Sequence, residues 1–235
     1  MTELAEPLAV RLAVSFAAAV FDGAVEIDGV RGELVDGDAW REAVARGAIA
    51  VIVDPAGAVV ESARPVVLVD AIMAKRNTGT SRRPGCAVIG LGPGFSAGGD
   101  VDAVIETLRG PDMGRVIRSG PASADTGRPG EIGGRSTERV LRAPADGRLE
   151  ALRGIGDVVK TGEPLFRVAG SVVVAPFDGC LRGLIHHGCR VTRGLKVGDL
   201  DPRGDPSGAR SVSDKALAVG RGVVEAVRGG EAWRS

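Results

Sequence analysis

VIGLGPGFSAGGDVDAVIET, residues 88–107, governs how the first part of this chain is read. An apolar run leads into five glycines within ten residues, and a segment with a helical pattern follows at 100–109. Strand, glycine turn and helix are the outline of a phosphate cradle, in which free N–H groups and the helix dipole meet an anion. Three details oppose that use. The third glycine of a dinucleotide-binding G-x-G-x-x-G falls where this chain has Phe95, and Pro93 removes an N–H donor. Asp100 and Asp102 would open the helix and complement its dipole with the protein's own carboxylates. The stretch therefore reads as the acidic wall of a mixed-charge cleft.

Around it the sequence reads as α/β. Residues 8–20 and 38–47 have helical patterns, 24–35 turns at Asp28-Gly29 as a hairpin, and 48–53, 65–70 and 86–91 are apolar runs typical of buried strands. These elements predict a mostly parallel, Rossmann-like sheet over 1–142, with 110–142 largely a surface segment holding one strand near 114–120. Between two of the strands, DAIMAKRNTGTSRRPG (70–85) carries Lys75, Arg76, Arg82 and Arg83 and no acid from 71 to 83. Loops at the carboxyl ends of parallel strands build ligand sites. Lys75, Arg76 and Asn77 are thus expected to clamp an anion beside Gly92 and Gly94, with Asp100 taking a hydroxyl, amine or cation and Asp70, where the strand ends, part of the same ligand site.

Residues 143–168 align without a gap on 175–200 at an offset of 32, with nine identities in 26 positions, mostly turn formers and spaced apolar residues. The pattern resembles the barrel-sandwich hybrid of biotinyl and lipoyl carrier domains, over 143–203. A carrier needs a lysine at the tip between its halves. Residues 169–174 contain none, so no swinging arm is expected. Residues 204–235 read as a linker and an amphipathic helix that starts near Ser213 or Asp214 and stops at Gly229-Gly230.

Bulk properties narrow the function. Net charge is zero, and no basic face is concentrated enough for nucleic acid. No apolar run reaches membrane length, and the start has no secretory pattern, so a cytoplasmic protein is expected. Three cysteines without CxxC spacing predict no disulfide framework. Cys180, His186, His187 and Cys189 are ligand types, but adjacent histidines on an extended segment point to opposite faces, and no metal site is expected.

The motifs VDAIMAKRNTGT, VIGLGPGFSAGGDVDAVIETLRGPDMGRVI, PGEIGGRSTERVLRAPADG, VTRGLKVGDLDPRGD and SDKALAVGRGVVEAV together resemble the YqeB-like accessory proteins of selenium-dependent molybdenum hydroxylase systems. The resemblance runs through essentially the whole chain. It implies a maturation factor that binds the hydroxylase, its molybdenum cofactor, cofactor-handling proteins or a selenium donor, and it adds Thr137, Glu138 and Arg139 to the expected site. Relatives of this kind open with a strand, a glycine loop and a helix ahead of a second strand ending in Thr-Glu. Here Thr2-Glu3 stands at that strand end, which makes Glu3 the residue that would hold a ribose, and the preceding elements are expected upstream of a misassigned start. Two other functions compete: a nucleotide-dependent enzyme that modifies the molybdenum cofactor, and a scaffold. No catalytic residue and no cofactor follow from the sequence.

Overall fold

The computed structural model describes residues 1–127 and 129–229. It is a mixed α/β chain with several small sheets and few helices. Two compact units form, each from two separated stretches: Met1–Ala58 with Pro129–Ser211, and Val59–Arg128 with Val212–Ser235. Among the described residues no helix is long and apolar enough to cross a membrane.

The first unit begins with β1 (Thr2–Glu3), α1 (Ala19–Asp22), the hairpin β2 (Ala24–Ile27) and β3 (Val30–Leu34), α2 (Trp40–Ala45) and β4 (Ile49–Val53). Their sheet runs β1-β4-β3-β2, parallel except for the hairpin, whose turn residues Asp28 and Gly29 both have positive φ as expected. The helix predicted over 8–20 is broken into two 3₁₀ turns and the four-residue α1. Ser15 is the reason: it is extended, and its hydroxyl accepts the Ala17 N–H at 3.3 Å, giving the backbone a local alternative to the helix.

The second unit begins with α3 (Val59–Ala63), β5 (Val67–Asp70), β6 (Ala87–Leu91), β7 (Ser96–Ala97), β8 (Ala103–Ile105), β9 (Val116–Ile117) and β10 (Gly120–Pro121). Its sheet is β5-β6-β8-β9, with β5, β6 and β8 parallel and β9 antiparallel, and β7 pairs separately with β10. The single sheet predicted over 1–142 is therefore two. In the first, β4 already has β1 and β3 as neighbours; in the second, β5 is an edge strand. Apolar runs identify strands but not their partners.

The helix predicted at 100–109 is also corrected: this is strand β8. Val101 and Val104 pack with Val88, Phe95, Ala97 and Ala122, while Ala103 and Ile105 pack with Ile89, Val219 and Ala226. A strand buried on both faces reads as a continuous apolar run, which periodicity does not separate from a helix. Asp100 and Asp102 accordingly cap no helix. Asp102 accepts the Val88 N–H at 2.8 Å and pairs with Arg82 at 2.6 Å.

The first unit resumes with β11 (Val140–Arg142), β12 (Gly147–Ala151), β13 (Val158–Val159), β14 (Pro164–Val168), β15 (Ser171–Val174), β16 (Gly179–Leu184), β17 (Arg190–Val191), β18 (Lys196–Asp201) and α4 (Ser207–Arg210). The strands make two sheets, β11-β18-β16-β13 and β15-β14-β12-β17, around one apolar core that includes Leu149, Leu165, Phe166, Leu181 and Leu200. Burying each such side chain contributes about 1.5–3 kcal/mol. The sequence repeat is realised strand for strand, and each half lends its short strand to the other: β13 pairs with β16, and β17 with β12. Repeated hydrogen bonds lock the exchange. Asp146 accepts the Arg193 N–H at 2.7 Å, and Asp178, 32 residues later, accepts the Thr161 N–H at 2.8 Å.

The Thr161 N–H, with Lys160 and the Thr161 hydroxyl, holds the Asp178 carboxyl at about 2. Because the folded value lies below the unfolded one, this clamp stabilises fully above the ordinary carboxylate range near 4 and is lost as pH falls through about 2. Asp178→Asn should therefore lower the thermal midpoint at neutral pH and change it little at pH 2. Calorimetric scans across that range check it.

The second unit closes with α5 (Asp214–Arg228). The Ser213 hydroxyl accepts the Ala216 N–H at 3.1 Å as its N-cap, and Gly229 ends it, both as the sequence predicts; Gly230 lies outside the described residues.

Candidate functional site

In the second unit, β5, β6 and β8 end side by side at Asp70, Leu91 and Ile105. The long connection from β5 to β6 contains no helix, so hydrogen bonds must hold it. Asn77 is its hub: its side-chain oxygen accepts the Gly79 and Thr80 N–H groups at 2.8 Å each, and its amide donates to the Thr80 carbonyl at 2.7 Å and to Asp100 at 2.8 Å. Thr80 in turn donates to the buried Asp70 at 2.6 Å, whose other oxygen accepts the Ile72 N–H at 3.0 Å. Asp100 accepts the Ser96 N–H at 2.6 Å. Burial opposes its ionisation, but the N–H of Ser96 and the amide of Asn77 outweigh that and hold its carboxyl below the usual range. Asp70, Asn77 and Asp100 thus form one chain of polar contacts that fixes the loop.

The glycines approach protein backbone and side chains of their own unit. Gly94 has φ +108°, and a Cβ there would lie 2.5–2.7 Å from the backbone atoms of Arg76. A Cβ on Gly92, at φ +77°, would lie 2.4 Å from the Thr107 hydroxyl. Only glycine permits both the backbone angle and the fit. The consequence is positional: Gly94 seats Arg76, and next to it Lys75 takes φ +61°.

Lys75 does not face the glycine loop alone. Its ammonium pairs with Asp125 at 2.7 Å, and Arg82 and Arg83 pair with Asp102 and Glu61. The acid-free loop is neutralised by acids elsewhere in its unit; among the described residues Arg76 makes no ion pair and is exposed.

Charged residues that sequence reasoning passed over gather with Lys75 around Lys215. Glu106, directly after β8, is 1% exposed and accepts the N–H groups of Leu108 and Ser123 at 2.8 Å each. Burial opposes its charge, yet those N–H groups win and hold it ionised below the ordinary range. Arg109 makes a two-pronged pair with Asp214 at 2.7 and 3.0 Å. Lys215, in the first turn of α5, has its ammonium pushed down by burial, then by Arg109 and Lys75, against the pull of Glu106 and Asp125. One signal was available: Lys215 is among only four lysines, and it sits at a helix N-terminus, where a cation opposes the dipole.

The remaining predicted residues belong to the first unit. Glu3 ends β1, parallel to β4, and its carboxylate accepts the Leu4 N–H at 3.3 Å. The Thr137 carbonyl accepts the Val140 N–H, and Glu138 accepts the Ser136 N–H at 3.1 Å. Arg139 is buried against Asp199. His186 stacks on Phe21 at 3.9 Å, and His187 accepts the Ala151 N–H at 3.2 Å. Burial raises the thiols of Cys180 and Cys189.

No protein-family model matches the chain. Among solved structures, short segments resemble an aspartoacylase family protein from Mesorhizobium loti (18% identity, 27% of this chain and 23% of that one, TM-score 0.25). Others resemble a succinylglutamate desuccinylase/aspartoacylase from Rhodobacter sphaeroides (25% identity, 36% and 29%, TM-score 0.26). At those scores neither informs the fold. Over 228 residues, 97% of its length, the chain is 45% identical to YqeB of Escherichia coli K12, a protein described as uncharacterized, and it spans 42% of that relative's length.

Proposed function

We propose that this chain is an accessory factor in the maturation of a selenium-dependent molybdenum hydroxylase, and that the carboxyl edge of the second unit's sheet takes an anionic group of the cargo. The observation that carries the reading is the Lys75–Lys215–Arg109 cluster. Three cations gather near the strand ends where α/β ligand sites form, Lys75 and Arg109 paired with Asp125 and Asp214, and burial with the neighbouring cations opposes the charge on Lys215. An anion placed between Lys75 and Lys215 would relieve that cost. The cargo is then the molybdenum cofactor, through its oxyanion groups, or a selenium oxyanion. Asp70, Asn77, Gly92, Gly94 and Asp100 hold the loop that presents Lys75. In the first unit, the exchanged strands β13 and β17 favour a barrel-sandwich hybrid without a carrier lysine, a module suited to docking on the hydroxylase or its cofactor-handling proteins.

Titration calorimetry with molybdate, selenite, ATP and NAD tests the site. Molybdate or selenite should bind, and Lys75→Ala/Lys215→Ala should weaken binding roughly a hundredfold or more, as expected for two charge-assisted contacts. Binding at alkaline pH should also take up protons, because the anion raises the lowered Lys215 value. Heat with a nucleotide and none with either oxyanion would favour the nucleotide-dependent enzyme instead. An unchanged affinity in the double variant would remove the site.

A further inference from the structure

The two halves of the 143–200 repeat differ sharply at one equivalent pair. In the first half, Glu150 and Arg167 face each other across β12 and β14 and pair at 2.6 Å on the surface, each nearly half exposed. Thirty-two residues on, the charges are reversed and buried: Arg182 on β16 and Asp199 on β18, with side chains 11% and 6% exposed. The ladder between β16 and β18 slips at this point, where Leu181 opposes Leu200 and Gly183 opposes Asp199. Arg182 is the extra residue of a bulge, a device that re-aims a side chain.

Other cations of the same unit collect around it. Arg139 donates to Asp199 and, at 3.2 Å, to the Gly130 carbonyl. Arg203 grips Asp201 through two bonds of 2.6 and 2.9 Å. Each carboxylate thus has an arginine of its own before Arg182 is counted. Arg182 lies 3.8 Å from both Asp199 and Asp201, within ion-pair range but beyond a hydrogen bond, and its Nε is buried without a hydrogen-bond partner. Arg11 gives one terminal nitrogen to the carbonyls of Gly208, Ala209 and Ser211, leaving its Nε likewise buried and unmatched. Burial and then Arg182 lower the Arg11 guanidinium, which places two like charges near each other. Lys196 is half-buried beside Asp199, and Asp205, facing Arg203, is already engaged by Ser207. Cations therefore outnumber carboxylates around Arg182. Buried guanidinium groups with unmatched donors are costly unless an acceptor completes them.

We infer that Arg182 and Arg11 form a second anion site, in the first unit, that binds a small oxyanion such as phosphate or a carboxylate. The guanidinium forks match the paired oxygens of either group. Arg203, 55% exposed, marks where the network meets solvent.

Calorimetric titration with inorganic phosphate, and separately with malonate, at constant ionic strength tests the inference. The unmodified protein should bind at least one of them, with a matching rise in thermal midpoint. Arg182→Gln and, separately, Arg11→Gln should each weaken binding tenfold or more, while Arg167→Gln, the arginine of the equivalent surface pair, leaves it unchanged. Lys75→Ala/Lys215→Ala should also leave it unchanged, which separates this site from the one in the second unit. Binding of phosphate alone assigns the ligand as phosphate-type, and of malonate alone as carboxylate-type. Failure of the unmodified protein to bind either, or full affinity in both arginine variants, would overturn the inference.

Discussion

Gly94→Ala should destabilise the second unit by about 3–5 kcal/mol. Two costs combine. At φ +108° an alanine is strained by roughly 1–3 kcal/mol. Its Cβ would also lie 2.5–2.7 Å from Arg76 backbone atoms, which have no flexible side-chain end to give way. The loop must lift, and the Lys75–Asp125 pair and the Asn77–Asp100 bond go with it. Tryptic cleavage after Lys75 and Arg76 should therefore accelerate at temperatures far below global unfolding. Gly98→Ala is the control: φ is +84° but nothing stands within 4 Å, so it should show the strain without the lifted loop. Equal protease sensitivity in the two variants would show that Gly94 does not seat the loop.

The second large effect reverses ordinary helix propensity. Gly222 lies within α5, where alanine normally stabilises by about 0.5–1 kcal/mol. Here a Cβ would stand 2.1 Å from the Gly114 carbonyl oxygen and 2.9 Å from an Ile105 methyl. Gly222→Ala should instead cost about 2–3 kcal/mol through overpacking, lowering the thermal midpoint by roughly 5–10 °C. Gly220→Ala on the same helix has open space around it and should stabilise. Opposite signs at two positions one half-turn apart would show that α5 docks through this glycine; the same sign at both would show that it does not.

What the sequence reveals follows from how local each signal is. The hairpin at Asp28-Gly29, the Ser213 cap and the 32-residue repeat are carried by turn formers and short periodic runs, and all stand in the structure. Pairing between distant strands has no such local mark, so β4 and β5 read as one sheet and lie in two. Val101, Ala103, Val104 and Ile105 read as a helix because both faces of β8 are buried. At the site, the 70–85 loop and its contact with the glycine turn were legible, since Asn77 meets Asp100 and Arg76 meets Gly94. Its neutralisation was not: Asp125, Asp102 and Glu61 come from other segments. Lys215 lies 140 residues from Lys75, and only the docking of α5 in the second unit brings their charges within reach of each other.

The proposed role is that Lys75 and Lys215 present a site for molybdenum hydroxylase maturation. Its most direct test is affinity purification of the tagged chain, unmodified and as Lys75→Ala/Lys215→Ala, from cells making a selenium-dependent molybdenum hydroxylase. The hydroxylase or its molybdenum cofactor should be retained by the unmodified protein and lost from the double variant, with thermal midpoints that remain alike. Retention of neither by the unmodified protein, or equal retention by both, would contradict it.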